Sequence, residues 1–238
     1  MLKVLACFFA MVSGLAHAGS EELRMIAPRN QSMPLAQFEG GHISGGILKD
    51  LGEALAARLG RHAVFTTVDG MRIPAALTAG EADGICYVRP IWIDGDYHWS
   101  QPLIPDAELV AARPGAPVLR SLLDLRDRPV ATVAGYRYPR LEQVLGLRFQ
   151  RLDSTTMEEN LQLVLAGKAR YTVVGKSTLA WHQKRNPQLR LRADLVFASF
   201  SAQCAFSRRS RVPPAEIDRA ISSLVQDGSV TNILARYR

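Results

Sequence analysis

Short runs of β-forming residues alternate with stretches of helical periodicity along this chain, and the alternation stops at Pro114-Gly115 and then begins again. That pattern belongs to an α/β fold, because parallel strands can be joined only through a crossover long enough to carry a helix. Before the break the apolar spacing predicts strands over 23–27, 63–68, 84–88 and 108–112, with helices over 47–59 and 73–82. Ile47, Leu48, Leu51, Leu55 and Leu59 share one helical face, which Gly60 ends. After the break, strands are predicted over 130–134, 149–152 and 171–174, and helices over 119–125, 140–147, 156–169 and 179–185. Ser154 or Thr155 is expected to open the helix over 156–169. A long β-like stretch over 195–206 and a helix pair, 215–226 and 230–237, close the chain.

Two βαβαβ units in tandem, with the chain end returning to the first, predict two lobes joined by two crossing strands. Each lobe is expected to be a mostly parallel sheet flanked by helices. The division falls at 19–107 with 205–238 for lobe 1, and 108–204 with the hinge strands for lobe 2. Ligands in such folds bind beyond the carboxyl ends of the strands, here between the lobes.

Residues 1–18 read as a secretory signal. Met1-Leu2-Lys3 is a short positive start, 4–15 are mostly apolar, and Ala16-His17-Ala18 is a small-residue cleavage site. The apolar run is too short to span a hydrocarbon core of about 30 Å, so cleavage near Ala18 and a periplasmic mature chain are expected. The net charge of +7 becomes +6 when Lys3 leaves. The basic residues are dispersed without a Lys/Arg block, which describes a solvated surface and no nucleic-acid partner. Cys7 leaves with the leader, and the pair that remains, Cys86 and Cys204, permits one disulfide or two buried thiols. His42, His62, His98 and His182 have no i, i+4 pairing, so neither a metal nor another cofactor is expected. No Ser/His/Asp order or paired-carboxylate motif stands out, and an enzyme is not expected.

Several local motifs fall in a familiar order. Gly45-Gly46-Ile47-Leu48-Lys49-Asp50-Leu51 opens the first helix. Ile73-Pro74-Ala75-Ala76-Leu77-Thr78-Ala79-Gly80-Glu81-Ala82-Asp83-Gly84 follows, then Trp99-Ser100-Gln101-Pro102, then Leu123-Asp124-Leu125-Arg126-Asp127-Arg128-Pro129-Val130-Ala131. In this order and spacing the mature chain resembles the bacterial extracellular solute-binding proteins of the polar-amino-acid family. The resemblance implies a monomer with the two-lobed periplasmic-binding-protein fold that hands a small-molecule ligand to the membrane permease of an ABC importer. A periplasmic sensor with a membrane signalling partner is the rival function, and a dehydratase-like enzyme the remoter one. In this fold the returning hinge strand runs beside the third strand of lobe 1, which would bring Cys86 and Cys204 onto adjacent strands.

At the ligand positions the chain departs from the family. Lys176 stands where the family usually has the aspartate that grips the ligand's ammonium group. The loop that commonly carries the carboxylate-binding arginine is short here, 89–98, with its one arginine, Arg89, at the front. Ser32-Met33-Pro34-Leu35 replaces the family's aromatic platform. Arg89 offers a planar fork to a carboxylate. Gly135, Tyr136 and Arg137 lie between a strand and a helix, where free N–H groups make an anion cradle. Tyr87 and Trp92 suit stacking on a flat ligand, while Arg29, Asn30 and Asp69 end strands that point at the cleft. Arg29, Arg89, Arg137 and Lys176 against Asp69 predict a cationic cleft and a carboxylate-bearing ligand: a dicarboxylate, an aromatic acid or an amino-acid derivative without a free ammonium.

Overall fold

The computed structural model describes residues 22–238, and the expected leader lies outside the described residues. β1 (Glu22–Pro28) runs parallel to β4 (His62–Val68) on one side and β5 (Gly84–Val88) on the other. All five residues of β5 are buried, as a central strand covered on both faces requires. A hairpin of β2 (Gln37–Glu39) and β3 (His42–Gly45), turning at Gly40-Gly41, precedes α1 (Ile47–Arg58). α1 buries Ile47, Leu48, Leu51 and Leu55, the face expected from their spacing. α2 (Ile73–Ala79), with Pro74 in its first turn, ends three residues earlier than its apolar pattern suggests, because Gly80 takes a left-handed conformation at its C-terminus.

β6 (Tyr97–Trp99) and β7 (Ile104–Ala112) follow, β7 being the first crossing strand. The helix expected over 119–125 is only a single 3-10 turn, Leu122–Leu125, capped reciprocally by Ser121 and Asp124. β8 (Pro129–Val133), α3 (Pro139–Leu145), β9 (Gln150–Ser154), α4 (Met157–Leu165), β10 (Tyr171–Gly175) and α5 (Lys176–Arg185) build the second lobe. Thr156, rather than Ser154 or Thr155, caps α4, its side chain accepting from the Glu159 amide.

β11 (Arg192–Ser207) is the second crossing strand. It pairs antiparallel with β7 from Arg192 to Ala202, then with β5 from Gln203 to Phe206, and also carries β6. The order β4-β1-β5-β11-β7-β10-β8-β9 is therefore one continuous ladder, in which only the pairings made by β7 and β11 are antiparallel. Bulges in β11 bend it between the two halves. α6 (Pro214–Gln226) and α7 (Ser229–Ala235) share a core with α1, so the two last helices pack on the first lobe. Two further clusters fill the two faces of the second lobe's sheet. Among the described residues no helix is long and apolar enough to cross a membrane.

Asp83, the last acid of the Ile73–Gly84 motif, is a fold residue. Buried beneath β1, it accepts from the Arg24 amide and, through both oxygens, from the Arg24 guanidinium. Burial raises its pKa, but these bonds outweigh that and hold the carboxyl below its ordinary range.

Candidate functional site

A cavity of about 380 Å³ lies between the lobes. Its walls come from segments following β1, β5, β8 and β10, so it sits at the carboxyl ends of the parallel strands, with Glu108 of β7 and Phe200 of β11 between them. The lining is chiefly apolar and aromatic. Tyr87, Trp92 and Phe200 form one wall, with Trp92 and Phe200 edge to face at 5.0 Å between centroids. Tyr136, Tyr138 and Met157 face them from the second lobe.

One main-chain bond and one side-chain bond close the lobes around this space. The Met157 amide donates to Asn30 O at 3.0 Å, and Asn30 Nδ2 donates to Ala134 O at 3.3 Å. Gly135 has φ 78°, and a Cβ there would lie 3.2 Å from both the Met71 amide nitrogen and its Cγ. Glycine at 135 thus serves a left-handed turn and a close approach between the lobes at once. Arg137 and Asp94 pair across the mouth.

Tyr87 has φ 62°, a left-handed conformation that costs a non-glycine residue of order 1 kcal/mol. Its hydroxyl donates to Asp106 Oδ2 at 2.7 Å, and Asp106 also accepts from the Ser177 amide at 3.1 Å. Asp106, on a crossing strand, thereby ties the end of β5 to the first turn of α5. Burial, with Asp106 beside it, pushes the Tyr87 hydroxyl well above its ordinary pKa.

Of the nine expected ligand residues, Tyr87, Trp92, Gly135, Tyr136 and Arg137 line the cavity. The other four lie outside its lining. Lys176 is the exposed first residue of α5; Thr178, about 200° further round the helix, faces the cavity instead. Arg89 lies behind the aromatic wall, its guanidinium carbon 5.4 Å from the Trp92 centroid and 5.1 Å from that of Phe200. Arg29 and Asp69 pair with each other at 3.2 Å on the exposed rim. Arg137 reaches the mouth but spends its charge on Asp94.

What the cavity does hold is a carboxyl group. Glu108 points into it from β7, and burial raises its pKa to about 7, against the lowering influence of Arg89. Sequence reasoning missed Glu108, Asp94, Asp106 and Phe200. A lone acid inside the apolar run Ala107-Glu108-Leu109-Val110 was the available signal. Cys86 and Cys204 stand directly opposite on β5 and β11 and are bonded.

A second cavity of about 580 Å³ is bordered by Arg29, Trp181 and Arg185. There Ser32 Oγ lies 3.3 Å from His182 Nε2, and His182 Nδ1 is 3.6 Å from Glu158 Oε2. Among the described residues no group of three or more His, Cys, Asp or Glu is placed to hold a metal ion.

No protein-family model and no curated protein matches the sequence. Solved structures do match. An ancestral arginine-binding protein bound to arginine superposes with a TM-score of 0.78 at 19% identity, over 91% of this chain and 97% of its own. The arginine-, lysine- and histidine-binding protein ArtJ from Geobacillus stearothermophilus gives 0.76 at 18%, over 91% and 95%. The chain has the type II periplasmic-binding-protein fold. Within this periplasmic-binding-protein fold the similar structures differ in role. One is a histidine kinase sensor domain, with a TM-score of 0.75 at 20% identity over 92% of this chain and 96% of its own. Another is an ancestral amino-acid-binding protein described as a precursor of cyclohexadienyl dehydratase.

Proposed function

We propose that this chain is a periplasmic solute-binding protein that closes its two lobes around a small ligand and delivers it, as a monomer, to the permease of an ABC importer. The lobes are taken as 19–107 with 205–238, and 108–204. The observation that carries the reading is the cavity itself. It is walled by both lobes and by both crossing strands, and it is sealed by bonds that exist only when the lobes are together. Such a cleft opens by bending at two strands and shuts on a ligand, excluding water from the contacts. The leader read at 1–18 supports the compartment, and the likeness to solute-binding proteins supports the role. Tyr87, Trp92, Gly135, Tyr136 and Arg137 are the proposed ligand-side residues from the two lobes, joined by Glu108 from the hinge.

Small-angle scattering on the mature chain, 19–238, tests this. Adding a mixed pool of neutral, cationic and anionic small solutes is expected to contract a monomer and raise its melting temperature. A scattering curve and a melting temperature unmoved by every pool would sink the reading. The likeness to a sensor domain favours a second reading, in which the closed form is reported to a membrane signalling partner. Binding without turnover is common to both, and chromatographic recovery of each solute unchanged after incubation checks it.

A further inference from the structure

Two acids line the main cavity, Asp94 and Glu108. Asp94 is at the exposed mouth and is neutralised by Arg137. Glu108 is inside, and among the described residues its carboxyl has neither a hydrogen-bond donor nor a salt-bridge partner. The nearest cation to influence it, Arg89, is committed to the faces of Trp92 and Phe200. A buried amide lies on the same lining. Asn30 is 4% exposed, its Nδ2 is held by Ala134 O, and its Oδ1 is buried without a partner. A carboxyl group left without a partner in a cavity lined chiefly by apolar and aromatic side chains is costly, and it suits a donor that arrives from outside.

An ammonium group fits the Glu108 carboxylate, since it carries three donors and the opposite charge. The walls around it suit the same ion. Tyr87, Trp92, Tyr136 and Phe200 present aromatic surface, which attracts a cation through the ring quadrupole and also buries an apolar body. A ligand carboxylate finds no such welcome, because Arg137 faces Asp94 and Arg89 stands behind the rings. The buried, unpartnered indole N–H of Trp92 is one neutral donor and does not replace a cation.

Taking the cleft as a solute site, as proposed above, we infer that its ligand is an organic ammonium ion without a carboxylate, an apolar or aromatic body bearing one protonated amine, whose charge is held by Glu108. The loaded site is then electrically balanced, with the Glu108 carboxylate set against one ammonium.

Four probes on one skeleton separate the possibilities: 2-phenylethylamine, 2-phenylethanol, 3-phenylpropionate and L-phenylalanine. Each is titrated calorimetrically into the mature chain and into Glu108→Gln, at pH 8, where Glu108 is mostly ionised. The amine is expected to bind best to the natural protein. In the variant it should lose roughly ten- to a hundredfold in affinity, with the alcohol's affinity unchanged. Glu108→Gln keeps the side-chain shape, and an unliganded melting temperature no lower than that of the parent shows that the fold is retained. Equal affinity for amine and alcohol overturns the ammonium assignment while leaving the cleft a solute site. Preference for either carboxylate overturns the carboxylate-free assignment in the same way. Binding of none of the four overturns this inference; the scattering experiment with the wider solute pools then decides whether the cleft is a solute site at all.

Discussion

Arg137 and Asp94 meet across the mouth of the cleft, with Arg137 Nη1 2.8 Å from Asp94 Oδ1 and a second, parallel bond from Nη2 to Oδ2. Arg137 follows β8 in one lobe and Asp94 follows β5 in the other, so this fork bridges the two. Its geometry is that of an arginine clamping a ligand carboxylate, but the carboxylate is supplied by the protein. The arginine therefore serves closure, and the pairing explains why a cationic count along the sequence does not become a cationic cavity.

The pair is exposed, so it should matter little to folding and more to opening. Asp94→Asn is expected to leave the melting temperature nearly unchanged while the lobes open more often. Hydrogen exchange at the Met157 amide, which bonds Asn30 across the lobes, should speed up in the variant and in high salt. Unchanged exchange at that amide would mean that the fork does not hold the lobes.

Glu108 gives a pH dependence of definite sign. Its pKa is raised from 4.5 to about 7 by burial. The protonated form suits the folded chain, so its full stabilisation is present below about 4.5 and is lost as the pH rises towards 7. Glu108→Gln should therefore match the parent at pH 4.5 and exceed it at pH 8, by on the order of 2 kcal/mol in denaturant unfolding. A variant no more stable than the parent at pH 8 contradicts a desolvated carboxyl.

The Cys86–Cys204 bond closes a loop with a sequence separation of 118. Its loss should cost about 4 kcal/mol through the entropy of the unfolded chain. Replacing both residues with alanine, or adding reductant to the parent, is expected to lower the unfolding midpoint similarly. Reductant should then have no further effect on the double variant, which separates the bond from general thiol chemistry.

How much could be read from the chain follows from where periodicity exists. β5 was legible to the residue because it is an unbroken apolar run, and α1 nearly so because it buries a regular face. The hairpin over 37–45 was not, since three- and four-residue strands leave no period to detect. The apolar stretch over 119–125 misled, because Leu122, Leu123 and Leu125 fill one turn that Ser121 and Asp124 hold short. At the site, position was legible and pairing was not. Tyr87, Trp92 and Tyr136 follow strand ends, as cleft residues should. Nothing local says that Arg137 will find Asp94, 43 residues earlier, or that Lys176 will begin a helix facing outward.

The second interlobe contact titrates in the opposite sense to Glu108. His182, on α5, reaches Ser32 of the other lobe through Nε2 and Glu158 of α4 through Nδ1. Burial lowers its pKa, Glu158 pulls it back up, and Arg185 in the next turn lowers it again. A histidine held below its ordinary value of about 6.5 is fully compatible with the fold above that pH. It costs stability as the pH falls below it, because the unfolded chain takes up the proton first. The parent should therefore lose stability relative to His182→Gln between pH 7 and 5, over the window in which Glu108 is gaining it. Melting curves of the parent, His182→Gln, Glu108→Gln and the double variant across that range resolve the two slopes. A difference between parent and His182→Gln that does not grow on acidification would show that His182 is not held neutral at the lobe boundary.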